Sequence, residues 1–146
     1  MGPDLEKAIQ ELSLRMRMIR AIQEDQAAEG ALSEREALIL QQLAEQGPMS
    51  VSQIAESWPD VSESTISMTI TKLWRKRGLV TKTINPDNQR VTMVELSEKG
   101  KAELDAIFKQ RSERFQALFK AMNMSPEEKQ MLINVCQRGV TFLDKM

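Results

Sequence analysis

Three helix starts crowd into the stretch from Ser33 to Ser62. Ser33 with Glu36 forms a capping box, in which a hydroxyl and a carboxylate satisfy backbone N–H groups that a helix end leaves unpaired. The helix it opens carries Leu40, Leu43 and Ala44 and stops at Gly47-Pro48. Ser50 with Gln53 repeats the device, with Met49 and Ile54 placed as a hydrophobic staple, for a short helix ended by Trp58-Pro59. Ser62 is a third N-cap. Starts and stops this close together imply short helices packed tightly on one another.

The segment after Ser62, SESTISMTIT, poses a conflict. From Thr65 to Thr71 it alternates polar and apolar residues, the pattern of a half-buried strand. A strand would leave the following LWRKR with no continuation of that alternation. A helix instead lines up Ile66, Ile70, Leu73 and Arg77 with Trp74 beside them, lets Val61 staple to Ile66, and closes with basic residues and Gly78. The spacing therefore predicts a helix, in which the β-branched and hydroxyl residues are a local cost that packing offsets. Past Gly78 the period changes to two β-rich segments, LVTKTI and RVTMVEL, around a loop NPDNQ, which reads as a hairpin.

Longer helices flank this block. Leu5, Ile9, Leu12, Met16 and Ile19 share one face of a first helix ending near Ala28-Glu29-Gly30. Ser97 caps a long helix bearing Leu104, Phe108, Phe115, Leu118, Phe119 and Met122, and Ser125-Pro126-Glu127-Glu128 opens a last one with Leu132, Val135, Cys136, Phe142 and Leu143 on its apolar side. A chain of 146 residues supports one domain or two packed lobes. With no signal-like or membrane-length apolar run and a single cysteine, a cytoplasmic location is expected.

The net charge of −1 conceals an uneven distribution. Residues 1–61 hold 5 basic and 11 acidic groups, residues 62–92 hold 6 and 2, and residues 93–146 hold 9 and 8. The positive segment is the one containing SESTISMTIT, the charge pattern expected of a phosphate-binding surface. On a helical wheel the face opposite Ile66, Ile70 and Leu73 carries Ser64, Met68, Thr71 and Arg75, with Ser67 and Lys72 at its edges. Short hydroxyls let a helix approach a groove closely and bond phosphates or base edges, while Arg and Lys add charge and read guanine. A short helix, a turn and this helix make a helix-turn-helix, and the basic hairpin behind it makes a wing. Without the wing, the same face would read as the solvated side of a structural helix.

STISMTITKLWRKRGLV followed by NPDNQRVTMVELSEKG resembles the MarR family of bacterial transcription regulators, including the family's GLV after the recognition helix and its wing-to-helix pattern, here LSEKG. The resemblance covers the whole chain. It implies a mainly α fold: a winged helix-turn-helix lobe with a small β-hairpin over residues 31–96, and a helical dimerisation lobe from residues 1–30 and 97–146. It further implies a homodimer, associated with the bacterial nucleoid, that binds a pseudo-palindromic operator in double-stranded DNA, most simply as a repressor. The residues expected at DNA are Ser62, Ser64, Thr65, Ser67, Met68, Thr71, Lys72 and Arg75 on the recognition helix, with Asn88 and Arg90 on the wing. Arg90 matches the arginine that enters the minor groove. The family usually places an aspartate two residues before it, where this chain has Asn88, and the turn SWPDV is about one residue longer than is common.

Small aromatic or anionic effectors bind in the family between the dimerisation helices and the winged lobe. By that analogy Arg15 or Arg20 meets an effector carboxylate beside Met16, Ile19 or Phe108; equally, Arg15, Arg17 and Arg20 are solvated or pair across the dimer. Catalysis has little to stand on, with no His, no Tyr and no Gly-rich phosphate loop. No cofactor or metal is expected, and Cys136 reads as a buried core thiol. The rival to a DNA reader is a winged-helix dimer that binds proteins instead, a reading supported by Asn88 and the acidic overall balance.

Overall fold

The computed structural model describes residues 4–26 and 30–146. The order of elements is α1 (Leu5–Gln26), α2 (Glu34–Gln46), β1 (Met49–Ser50), α3 (Val51–Glu56), α4 (Glu63–Arg75), β2 (Val80–Asn85), β3 (Asn88–Leu96), α5 (Glu98–Ala121) and α6 (Pro126–Asp144). The chain divides between Ala37 and Leu38 into two compact units.

The first unit holds α1 and the opening turn of α2. Asp4 starts α1, its carboxylate accepting the Lys7 N–H at 2.8 Å. Leu5, Ile9, Leu12 and Ile19 stand at helical spacing and are all exposed. The expected end of the helix near Ala28 and Glu29 lies outside the described residues. The Ser33–Glu36 capping box forms in both directions, at 3.0 and 3.1 Å.

In the second unit, the rest of α2 buries Ile39, Leu40 and Leu43. Gly47 turns the chain with φ 78°, a conformation that costs glycine little. Ser50 and Gln53 complete the second capping box. Ser62 caps α4, which is helical throughout and buries Ile66, Ile70 and Leu73, the line of residues that the helical reading requires. Ile54, Leu79, Val80 and Val94 are also fully buried in this interior.

The sheet has three strands in the order β1-β3-β2, all antiparallel, rather than a hairpin alone. Met49 and Ser50 pair with Val94 and Met93. Two residues are too few to show alternation, and both also serve the N-terminus of α3. The wing loop is tighter than NPDNQ suggests: β2 runs to Asn85 and β3 resumes at Asn88, with an irregularity between Ile84 and Asn85.

Ser97 caps α5, and its backbone N–H joins the Leu79 carbonyl at 3.0 Å. After α5, Asn123 takes a left-handed conformation at φ 54°, which asparagine tolerates better than most residues. Ser125 then caps α6 through a third capping box. No residue of α6 is buried. Cys136 is accordingly exposed, which corrects the expectation of a core thiol: among the described residues, none buries the apolar side of this helix.

Candidate nucleic-acid interface

Helix α4, the expected recognition helix, is held from behind and open in front. Ile66, Ile70 and Leu73 anchor it in the interior, while Ser64, Met68, Lys72 and Arg75 are exposed and Ser67 and Thr71 are half-buried. Met68 is 72 % exposed at the centre of this face, so no role in the core explains it.

The six hydroxyls of residues 62–71 divide by task. Ser62 Oγ accepts the Thr65 N–H at 3.2 Å and lies 2.8 Å from Thr65 Oγ1, so both of these expected site residues build the cap. Thr69 Oγ1 donates to the Thr65 carbonyl at 2.9 Å, satisfying a polar group inside the helix. Thr71 Oγ1 accepts from Lys82 Nζ at 3.1 Å. Ser64 and Ser67 have no hydrogen-bond partner for their hydroxyls among the described residues, which leaves them available to an external ligand.

On the wing, Asn88 and Arg90 are both exposed on β3. Asn88 Oδ1 accepts the Arg90 backbone N–H at 3.1 Å, and Asn85 Oδ1 accepts the Asp87 N–H at 2.9 Å, so two asparagine side chains shape the turn. The amide at position 88 therefore orders the backbone that carries Arg90.

Two features escaped the sequence. Lys82 and Trp74 join the wing to α4: Lys82 Nζ and Arg75 Cζ each lie 5.0 Å from the centre of the Trp74 indole. Strand alternation from buried Val80 turns Lys82 to the same side, which was the available signal. Glu63, in the first turn of α4, accepts from Ser52 Oγ at 3.2 Å and ties α3 to the recognition helix.

The proposed effector residues are divided between the two units. Arg15 and Ile19 are exposed and Met16 is half-buried on α1. Arg15 Nη1 donates to the Glu11 carbonyl at 3.2 Å, and Arg20 Nη1 lies 3.5 Å from Glu34 Oε1. Phe108 is an exposed residue of α5 in the second unit. Among the described residues there is no metal-competent group of His, Cys, Asp and Glu, and no helix long and apolar enough to cross a membrane.

Residues 32–92 match the model of the MarR family. Over 128 residues the chain is 33 % identical to the uncharacterized HTH-type transcriptional regulator YxaD of Bacillus subtilis (strain 168), covering 86 % of this chain and 87 % of that one. Apo wild-type MarR from E. coli superposes with a TM-score of 0.70 at 15 % identity, covering 94 % of this chain and 97 % of that one. BpsR of Bordetella bronchiseptica, whose DNA binding is regulated by 6-hydroxynicotinic acid, superposes with a TM-score of 0.60 at 20 % identity, covering 95 % and 98 %.

Proposed function

Because the chain belongs to the MarR family of winged helix-turn-helix transcription regulators, we propose that it acts as a homodimeric repressor reading a pseudo-palindromic operator in double-stranded DNA. The observation that carries this reading is the exposed face of α4. Ser64, Ser67, Met68, Lys72 and Arg75 point away from a helix whose other side is fixed by three fully buried residues. A rigid helix with free hydroxyls, an unburied apolar chain and two cations has the chemistry to enter a major groove. Arg90, exposed on β3 beside the turn that Asn88 orders, is the wing cation for the adjoining minor groove in this reading, since the narrow A·T-rich form of that groove attracts guanidinium groups.

Dimerisation is supported by what the chain leaves uncovered. On α6, Leu132, Val135, Phe142 and Leu143 are all exposed, and α1 adds exposed Leu5, Ile9, Leu12 and Ile19. Apolar faces of this extent belong to interaction surfaces, and two-fold pairing of identical copies would place two recognition helices on successive half-sites. Under this reading residues 31–96 form the DNA-binding lobe and residues 1–30 and 97–146 the dimerisation lobe, in a cytoplasmic, nucleoid-associated protein. Release of the operator by a small aromatic or anionic effector is part of the same proposal; the regulation of BpsR by 6-hydroxynicotinic acid supports it by analogy, and exposed Arg15 and Arg20 are the cations to test.

Selection of bound fragments from random duplex DNA tests the reading directly. An inverted repeat spaced by one helical turn is the expected result, since it reports sequence readout and dimer symmetry together. A folded dimer that retains no duplex at moderate salt would instead be a protein-interaction module, and the regulator reading would fall.

A further inference from the structure

A helix in a major groove and a wing in the next minor groove are separated by one sugar–phosphate strand. That strand has to cross the notch between them. In this protein α4 and β2 meet at Thr71, Trp74, Arg75 and Lys82. Lys82 Nζ donates to Thr71 Oγ1 at 3.1 Å and lies 5.0 Å from the centre of the Trp74 ring; the Arg75 guanidinium carbon lies at the same distance. Trp74 is 37 % exposed, so the ring is neither in the core nor free on the surface.

We propose that Lys82, Arg75 and the Trp74 indole between them form a phosphate clamp that grips the DNA backbone where it passes from the recognition helix to the wing. The ring quadrupole attracts both cations and restricts their motion without neutralising them, as a carboxylate would. Neither Lys82 nor Arg75 has an acidic ion-pair partner among the described residues. Two unneutralised charges are thus brought from separate elements to one ring, where they concentrate positive potential for an anionic oxygen group. Lys82 and Arg75 are the binding residues, and Trp74 is a positioning residue that acts through them.

The clamp rests on the DNA-regulator reading, and the test separates the two. Binding of a selected operator duplex is measured over a salt series for the wild type, Lys82→Met and Lys82→Arg. Methionine keeps an apolar stem on the indole but removes the charge. If each clamp neutralises one phosphate, two clamps per dimer contribute about 1.8 to the slope of log K against log salt; Lys82→Met, which leaves Arg75 in place, makes the slope shallower by up to that amount, and Lys82→Arg restores it. Trp74→Leu should weaken binding several-fold with the slope retained, and Trp74→Phe should recover most of the loss. A wild type that binds duplex with the same slope as Lys82→Met overturns the clamp while leaving the regulator reading intact. A wild type that retains no duplex overturns both. As a second measurement, replacing single operator phosphates by neutral methylphosphonates should reveal one position per half-site that matters more to the wild type than to Lys82→Met; absence of such a position also overturns the clamp.

Discussion

Gly100 lies directly against the carbonyl oxygen of Leu79, so closely that a Cβ at position 100 would run into that backbone group and press on Leu96 as well. The same Leu79 closes the end of the recognition helix, its N–H joining the Leu73 carbonyl at 2.9 Å, while Ser97 Oγ bonds the Gly78 carbonyl at 2.6 Å and Lys99 Nζ the Arg77 carbonyl at 3.0 Å. The exit from α4 and the entry to α5 are thus one bonded joint. Because the nearest obstacle is the Leu79 backbone, it yields less readily than a side chain would. Gly100→Ala is expected to destabilise the fold by about 1–3 kcal/mol, the usual cost of overpacking a tight site. Urea unfolding measures it, and an unchanged midpoint would show that the joint gives way freely.

The wing should be sensitive in two distinct ways. Arg90→Ala removes the group proposed to enter the minor groove and should weaken operator binding by roughly 1–3 kcal/mol while the dimer stays intact. Asn88→Ala removes the acceptor of the Arg90 N–H, and should cost about 0.5–1.5 kcal/mol, the net worth of one hydrogen bond. Gel shifts at a fixed moderate salt compare them. If Asn88→Ala costs more than Arg90→Ala, the ordering of their roles is reversed.

What the sequence discloses here depends on how far apart the interacting groups lie. The capping boxes at Ser33, Ser50 and Ser125 were legible because each is complete within four residues. The helical state of SESTISMTIT became legible only by following its apolar line to Leu73, since over a few residues alternation and helical spacing coincide. β1 was not legible: its partners Met93 and Val94 are distant in the chain, and the pairing leaves no local pattern. Nor was the clamp, because Lys82 reads as one more surface lysine until β2 is laid beside α4. Cys136 misled for another reason. Spacing on a helix reveals an apolar face but not whether its cover comes from the same chain, and α6 has no buried residue.

That open face gives the third prediction. Phe142 is 68 % exposed on α6 and Leu143 64 %. If a second copy covers them, Phe142→Glu loses an aromatic contact worth about 1.5–3 kcal/mol and introduces a desolvated charge, and two-fold symmetry applies both penalties twice. Sedimentation should show the variant as a monomer at concentrations where the wild type is a dimer. A variant that still sediments as a dimer would remove Phe142 from the interface. Its helicity should also be checked by circular dichroism, since a glutamate on an exposed helix position is not expected to unfold α6 itself.

Met68 offers the sharpest test of the proposal that α4 reads bases. An apolar side chain 72 % exposed between Ser64 and Arg75 contributes nothing to the core, and the base edge that suits it in a major groove is the thymine methyl. Exchanging thymidine for deoxyuridine removes that methyl and changes nothing else on the pair. One position per half-site should therefore lose roughly 0.8 kcal/mol, the worth of one buried methyl-sized group, for the wild type. In Met68→Ala the same exchange should have little effect, while exchanges at other positions act equally on both proteins. Coupling between residue 68 and a single thymine, measured as that double difference, would fix the register of the helix in the groove. If every exchange is additive with Met68→Ala, Met68 does not touch a methyl group, and the central exposed residue of the recognition face lies over backbone or water instead.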